Sequence, residues 1–196
     1  GNEKELEKSK QISLSFLNSV AADFYRLLHL DENLADKPID IQVTSDGLRV
    51  TLFDRPSRPL FVRDTAVLTE WGRYALQSLA WMIDRHHFRV TIDGHTSGGR
   101  PDRTADYTPW ELSADRANAA RRNLVHYAVE PGYIERVTGY AATRPLPGQD
   151  PAAESNDRIT LSLTLSTKPK ENEKNAVSAD SRPQTVGVAL AVKSPP

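Results

Sequence analysis

Apolar positions along the chain follow two rhythms. Leu6, Leu17, Val20, Ala21, Phe24, Leu27 and Leu28 recur at helical spacing, best in the second half, and predict a first helix over residues 5–30. Its opening turns are rich in Glu and Lys and project into solvent. DKPID at 36–40 breaks the pattern. The period then shortens to two. Ile39, Ile41 and Val43 alternate with polar residues, as do Leu48, Val50 and Leu52. SDG lies between the two runs, with Gly47 able to take a positive φ, so the pattern predicts a β-hairpin. The prolines of FDRPSRPLF at 53–61 mark a loop.

Helical spacing returns with Leu68, Trp71, Ala75, Leu79, Met82 and Ile83, which predict a second helix over 67–86. FRVTID at 88–93 alternates as a strand, and a loop follows over about 94–111. A third helix is expected from Ser113, a plausible N-cap, to Ala128, with Ala117, Ala120, Leu124, Tyr127 and Ala128 as its apolar stripe. EPG at 130–132 turns the chain into a short strand at 133–141. After a Pro-rich loop, RITLSLTLS at 158–166 is the clearest strand, with Ile159, Leu161, Leu163 and Leu165 on one face. From Thr167 no pattern persists, and 167–196 reads as a disordered tail. The order predicts an α+β two-layer sandwich: a β-α-β-α-β core over 39–166, helices on one face, with an added N-terminal helix and hairpin.

Composition narrows the function classes. With 38% hydrophobic and 26% charged residues the chain reads as globular. A net charge of -1 gives no bulk electrostatic reason to bind nucleic acid or an anionic membrane. Cysteine is absent, which excludes disulfides and thiolate zinc sites. No apolar run reaches the length of a membrane span, about 18 residues. The start, GNEKELEK, lacks Met and suggests a truncated or processed chain, and residues 1–38 read as an N-terminal helical segment.

Candidate chemistry is sparse. His29, His86, His87, His95 and His126 show no HExxH spacing, and they read as surface or packed residues rather than metal ligands. No GxSxG elbow or GxxxxGK[ST] phosphate loop occurs, and no nucleophile–base pair has a recognisable spacing. The expectation is no enzyme, no metal and no cofactor. Arg116 is more informative, lying one turn inside the helix after the long loop. Its planar fork and the helix N-terminus suit a carboxylate resting in the GHTSGG turn. A structural ion pair to Asp93, Asp106 or Asp115 is the competing reading.

The ordered blocks VTIDGHTSGG, YTPWELSADRANAARRNLV, RVTGYAATRPL and NDRITLSL resemble the OmpA-like peptidoglycan-binding domain over about residues 39–166. More narrowly they are similar to the periplasmic part of MotB-type flagellar stator proteins. The resemblance implies an OmpA-like core in the periplasm, held to the inner membrane by an N-terminal helix absent from this sequence. It also implies a homodimer, a MotA-type stator partner reached through that membrane segment, and attachment to peptidoglycan. In the family a pocket holds the carboxylate of a stem peptide, usually at diaminopimelate. Arg116 matches its arginine, and His95 and Thr96 match the approach to its acid. Ser97 stands where that acid is expected, Pro109 where an Asn is expected, and Asp157 where an Arg is expected. The missing acid would pair the ligand's ammonium, and losing such a bond costs roughly 1–3 kcal/mol. Asp102 or Asp106 could substitute if the loop folds back. The alternative is an OmpA-like dimerisation or docking module with weakened or lost wall binding, for which a non-flagellar MotB-like motor such as an anti-phage Zorya system is one setting.

Overall fold

The structure, a computed structural model, describes residues 1–166. The disordered tail expected for 167–196 lies outside the described residues. In chain order the elements are α1 (Asn2–Leu27), β1 (Ile39–Val43), β2 (Gly47–Phe53), α2 (Glu70–His86), β3 (Phe88–His95), α3 (Pro109–Tyr127), β4 (Ile134–Gly139) and β5 (Arg158–Leu165). The strands form one five-stranded sheet in the order β1-β2-β5-β3-β4. Only β3 and β4 pair in parallel. Parallel neighbours need a crossover, and α3 supplies it.

The two-layer sandwich follows from alternation in the strands. Leu48, Val50 and Leu52 of β2 share a face with Ile159, Leu161 and Leu163 of β5 and Phe88, Val90 and Ile92 of β3, and all are buried. Against that face lie Leu17, Val20 and Phe24 of α1, Leu76, Leu79 and Ile83 of α2, and Ala117, Ala120 and Leu124 of α3. The opposite face carries Arg49, Thr51, Arg89, Thr91, Thr160 and Ser162. Apolar residues on one side and polar ones on the other are the mark of a sheet covered by helices on a single face.

Three local expectations are corrected. The third helix starts at Pro109, not near Ser113, and its N-cap is Thr108. The Trp110 N–H donates to Thr108 Oγ1 at 3.2 Å, and the Thr108 N–H donates to Glu111 Oε2 at 2.8 Å, which makes a capping box. Ser113 is fully buried inside the helix, where its Oγ accepts the Ala141 N–H at 3.0 Å. Gly47 does not take a positive φ; it opens β2, where a Cβ would sit 1.7 Å from the Leu163 carbonyl oxygen. The first helix ends at Leu27 rather than residue 30, with Leu28 as its C-cap.

Candidate functional site

β3 delivers the chain to the 96–108 loop, which then enters α3. Two other segments converge there: the Pro-rich connection from β2 to α2, and the entry to β5 at Asn156, Asp157 and Arg158. Asn156 ties the second of these down. It is fully buried, accepts the Leu146 N–H at 2.7 Å, and donates to the Asp150 and Pro151 carbonyls at 3.0 and 3.2 Å. The Gly98 N–H reaches the same Pro151 carbonyl at 2.8 Å, so the two loops are stapled together. Between the three segments lies an open cleft of about 800 Å³, with Asp54, Phe61, Asp64, Ser97, Arg100 and Asp157 in its lining.

Ser97 is the hinge of the polar network. Its N–H donates to Asp157 Oδ1 and its Oγ to Asp157 Oδ2, both at 3.0 Å. Arg100 Nη2 donates to Asp157 Oδ1 at 3.2 Å, and its Nη1 to Asp64 Oδ1 at 2.7 Å. The buried Nε of Arg100 has no partner. Asp102 and Asp106, expected as substitutes for the missing acid, are both exposed. Asp102 lines a neighbouring cleft of about 360 Å³ instead. The carboxylate beside Ser97 comes from Asp157.

Arg116 sits behind the cleft wall and is 2% exposed. Its Nε donates to the Thr65 carbonyl at 2.8 Å and its Nη1 to Asp54 Oδ2 at 3.3 Å, while the Phe61 ring centroid lies 4.6 Å from the guanidinium carbon. The ion-pair partner is therefore Asp54, not Asp93, Asp106 or Asp115. Asp115 accepts the Tyr107 hydroxyl, and Asp93 faces Arg136 at 3.9 Å. Asp54 is itself fixed, its Oδ1 accepting the Leu60 and Phe61 N–H groups at 2.9 and 3.2 Å. Burial lowers the Arg116 pKa from its ordinary value, and the nearby Asp54 charge counters that. The buried Nη2, with its two N–H bonds, has no partner. Arg116 does not line the cleft itself; Asp54 and Phe61, which contact it, do.

His95 and Thr96 lie deeper. The His95 ring stacks on Tyr140 at 5.2 Å, and burial pushes its pKa down to about 4, so the imidazole is neutral. The Thr96 N–H donates to the Ala141 carbonyl at 2.9 Å, and its buried Oγ1 has no partner. Of the four residues singled out in the sequence, Ser97 lines the cleft, Arg116 backs its wall, and His95 and Thr96 hold the strand end that presents Ser97. Asp54, Phe61, Asp64, Arg100 and Asp157 were not assigned to a site from the sequence. No spacing rule connects segments 36 to 62 residues apart. Among the described residues no group of three or more His, Asp or Glu could hold a metal ion.

The fold is thus a two-layer α+β domain whose polar cleft lies between the β3–α3 loop and the entry to the last strand. The chain belongs to the OmpA family, whose pattern it matches over residues 60–159. It is similar to motility protein B of Escherichia coli strain K12, 32% identical over 190 residues, covering 91% of this chain and 61% of that protein. The chain thus spans about three-fifths of the length of that relative. Solved structures with the same fold include a MotB-like protein from Desulfovibrio vulgaris, at TM-score 0.66 and 19% identity, covering 82% of this chain and 99% of that one. Another is the cell wall anchor of the type VI secretion system of Pseudomonas aeruginosa, at TM-score 0.59 and 19% identity, covering 76% of this chain and 97% of that one.

Proposed function

We propose that this chain is the periplasmic domain of a MotB-type stator subunit and that it anchors an ion-driven motor to peptidoglycan. Similarity to motility protein B along nearly the whole chain supports the stator assignment. The site observation that carries the anchoring is Arg116, buried beside the cleft with its Nη2 unpaired. A stem-peptide carboxylate, as at diaminopimelate, enters past Phe61 and accepts from Nη2, beside the 3.3 Å contact that Nη1 keeps to Asp54. Ser97 forms the facing wall, and His95 and Thr96 fix the end of β3 behind it. In the full protein the domain works as a homodimer, joined through a membrane segment to a MotA-type subunit. Its task is mechanical: it holds the stator still while torque acts on the rotor.

Cosedimentation with purified sacculi tests the anchoring. Wild-type protein is expected in the pellet. Arg116→Ala should lower the bound fraction at least about tenfold, the scale of one charge-assisted hydrogen bond. Ser97→Trp, which fills the cleft while leaving the Arg116–Asp54 pair in place, should do the same. Wild-type protein that stays in the supernatant overturns the reading.

A further inference from the structure

The cleft holds an acid that the family resemblance does not place there. Asp157 enters from the start of β5, 60 residues beyond Ser97 in the chain. Its side chain is 10% exposed and lines the cleft. Three donors hold it: the Ser97 N–H, the Ser97 hydroxyl and Arg100. A carboxylate has about four acceptor sites, so one remains for a further donor. The acid is also braced from behind, because the Asp54 N–H donates to the Asp157 carbonyl at 2.9 Å. That bond ties Asp157 to the same residue that pairs with Arg116.

Charges of both signs border the cleft, with Asp54, Asp64, Arg100 and Asp157 in its lining. On one side stands the Asp157 carboxylate. Behind the other stands the Arg116 guanidinium with its unpaired Nη2. The two are close enough for Asp157 to favour the charged form of Arg116. A ligand that satisfies both carries an ammonium and a carboxylate a few bonds apart, as an amino-acid head group does.

We propose that Asp157, seated on Ser97 and braced by Arg100, receives the primary ammonium group of an amino-acid ligand whose carboxylate goes to Arg116. The proposal rests on the wall-anchoring reading above and adds the residue that selects the ligand's amine. Its physical basis is geometric. Ser97 Oγ and Asp157 Oδ2 are 3.0 Å apart, so a negative charge placed on either residue occupies nearly the same position in the cleft. An acid can be lost at 97 and supplied from 157 without moving the site.

The test uses two probes: native sacculi, and sacculi whose free amines have been acetylated with acetic anhydride. Binding of wild type, Asp157→Asn, and the double variant Ser97→Asp/Asp157→Asn is titrated against each, with melting curves as a folding check. Asp157→Asn is expected to bind native sacculi about ten- to a hundredfold more weakly than wild type, the loss of one charge-assisted contact. On acetylated sacculi the two should bind alike. The double variant, which moves the acid across the 3.0 Å gap, should recover binding to native sacculi. Equal binding of wild type and Asp157→Asn to native sacculi overturns the proposal while leaving wall anchoring intact. So does an equal loss on acetylated sacculi, or failure of a normally melting double variant to recover. Wild type that binds neither probe overturns the anchoring reading and this proposal with it.

Discussion

Two buried residues, Arg116 and His95, show how context sets the behaviour of a side chain. The sequence left Arg116 open between a ligand contact and an ion pair. The structure supplies a partner, Asp54, from 62 residues away. A buried pair of this kind is held by its extra hydrogen bonds, here from the arginine to the Thr65 carbonyl and from the Leu60 and Phe61 N–H groups to the acid. His95 takes up its proton at a much lower pH than a surface histidine. Its folded pKa is about 4 against an ordinary value of 6.5, because burial and the nearby Arg158 and Arg144 disfavour the imidazolium. Between those values the unfolded chain binds a proton that the folded chain does not, so stability falls as the pH drops from 6.5 towards 4. The full effect is on the order of 3 kcal/mol. His95→Phe keeps a ring against Tyr140 and removes the titration. Urea unfolding at pH 7 and pH 4.5 should show wild type losing about 2 kcal/mol more than the variant between the two. Equal losses would contradict the assignment.

At the level of elements, α3 is the organiser. Its start was legible: Thr108-Pro-Trp-Glu111 is a capping-box sequence with proline at the first helical position. Reading Ser113 as the cap overlooked it, because Ser is a favoured cap and nothing local reveals that Ser113 is buried. Two glycines let the helix lie directly on the sheet. A Cβ at Gly94 would fall 2.1 Å from the Ser113 carbonyl oxygen, and one at Gly139 would fall 2.5 Å from the Ala114 nitrogen. Both obstacles are backbone, so neither can swing aside. Gly139→Ala should therefore lift the N-terminal half of α3 and cost about 1–3 kcal/mol, read from the urea midpoint. Since Arg116 lies on that half, weaker sacculus binding should accompany the loss.

Across the whole molecule, the N-terminal helix divides in two. Residues 1–12 are all exposed, a stretch of helix roughly 18 Å long, while Leu17, Val20, Phe24 and Leu28 enter the common core. Deleting residues 1–12 should leave the melting temperature of the domain unchanged. Phe24→Ala, which empties a site buried to 1% exposure, should cost about 3–5 kcal/mol in urea unfolding. A large destabilisation on deletion would mean that the outer turns matter to the fold. The sequence by itself determined the helices, the strands and the single buried face, because a period of 3.6 or 2 is written in neighbouring residues and survives any tertiary arrangement. Its place one turn inside a helix marked Arg116, and the resemblance, carried by ordered motifs, added Ser97. Only the tertiary structure decided that the last strand, β5, slots between β2 and β3, and that Asp54 reaches Arg116 and Asp157 reaches Ser97. Those contacts join residues about 60 positions apart. Periodicity records which way a side chain faces, but not which distant segment it will meet.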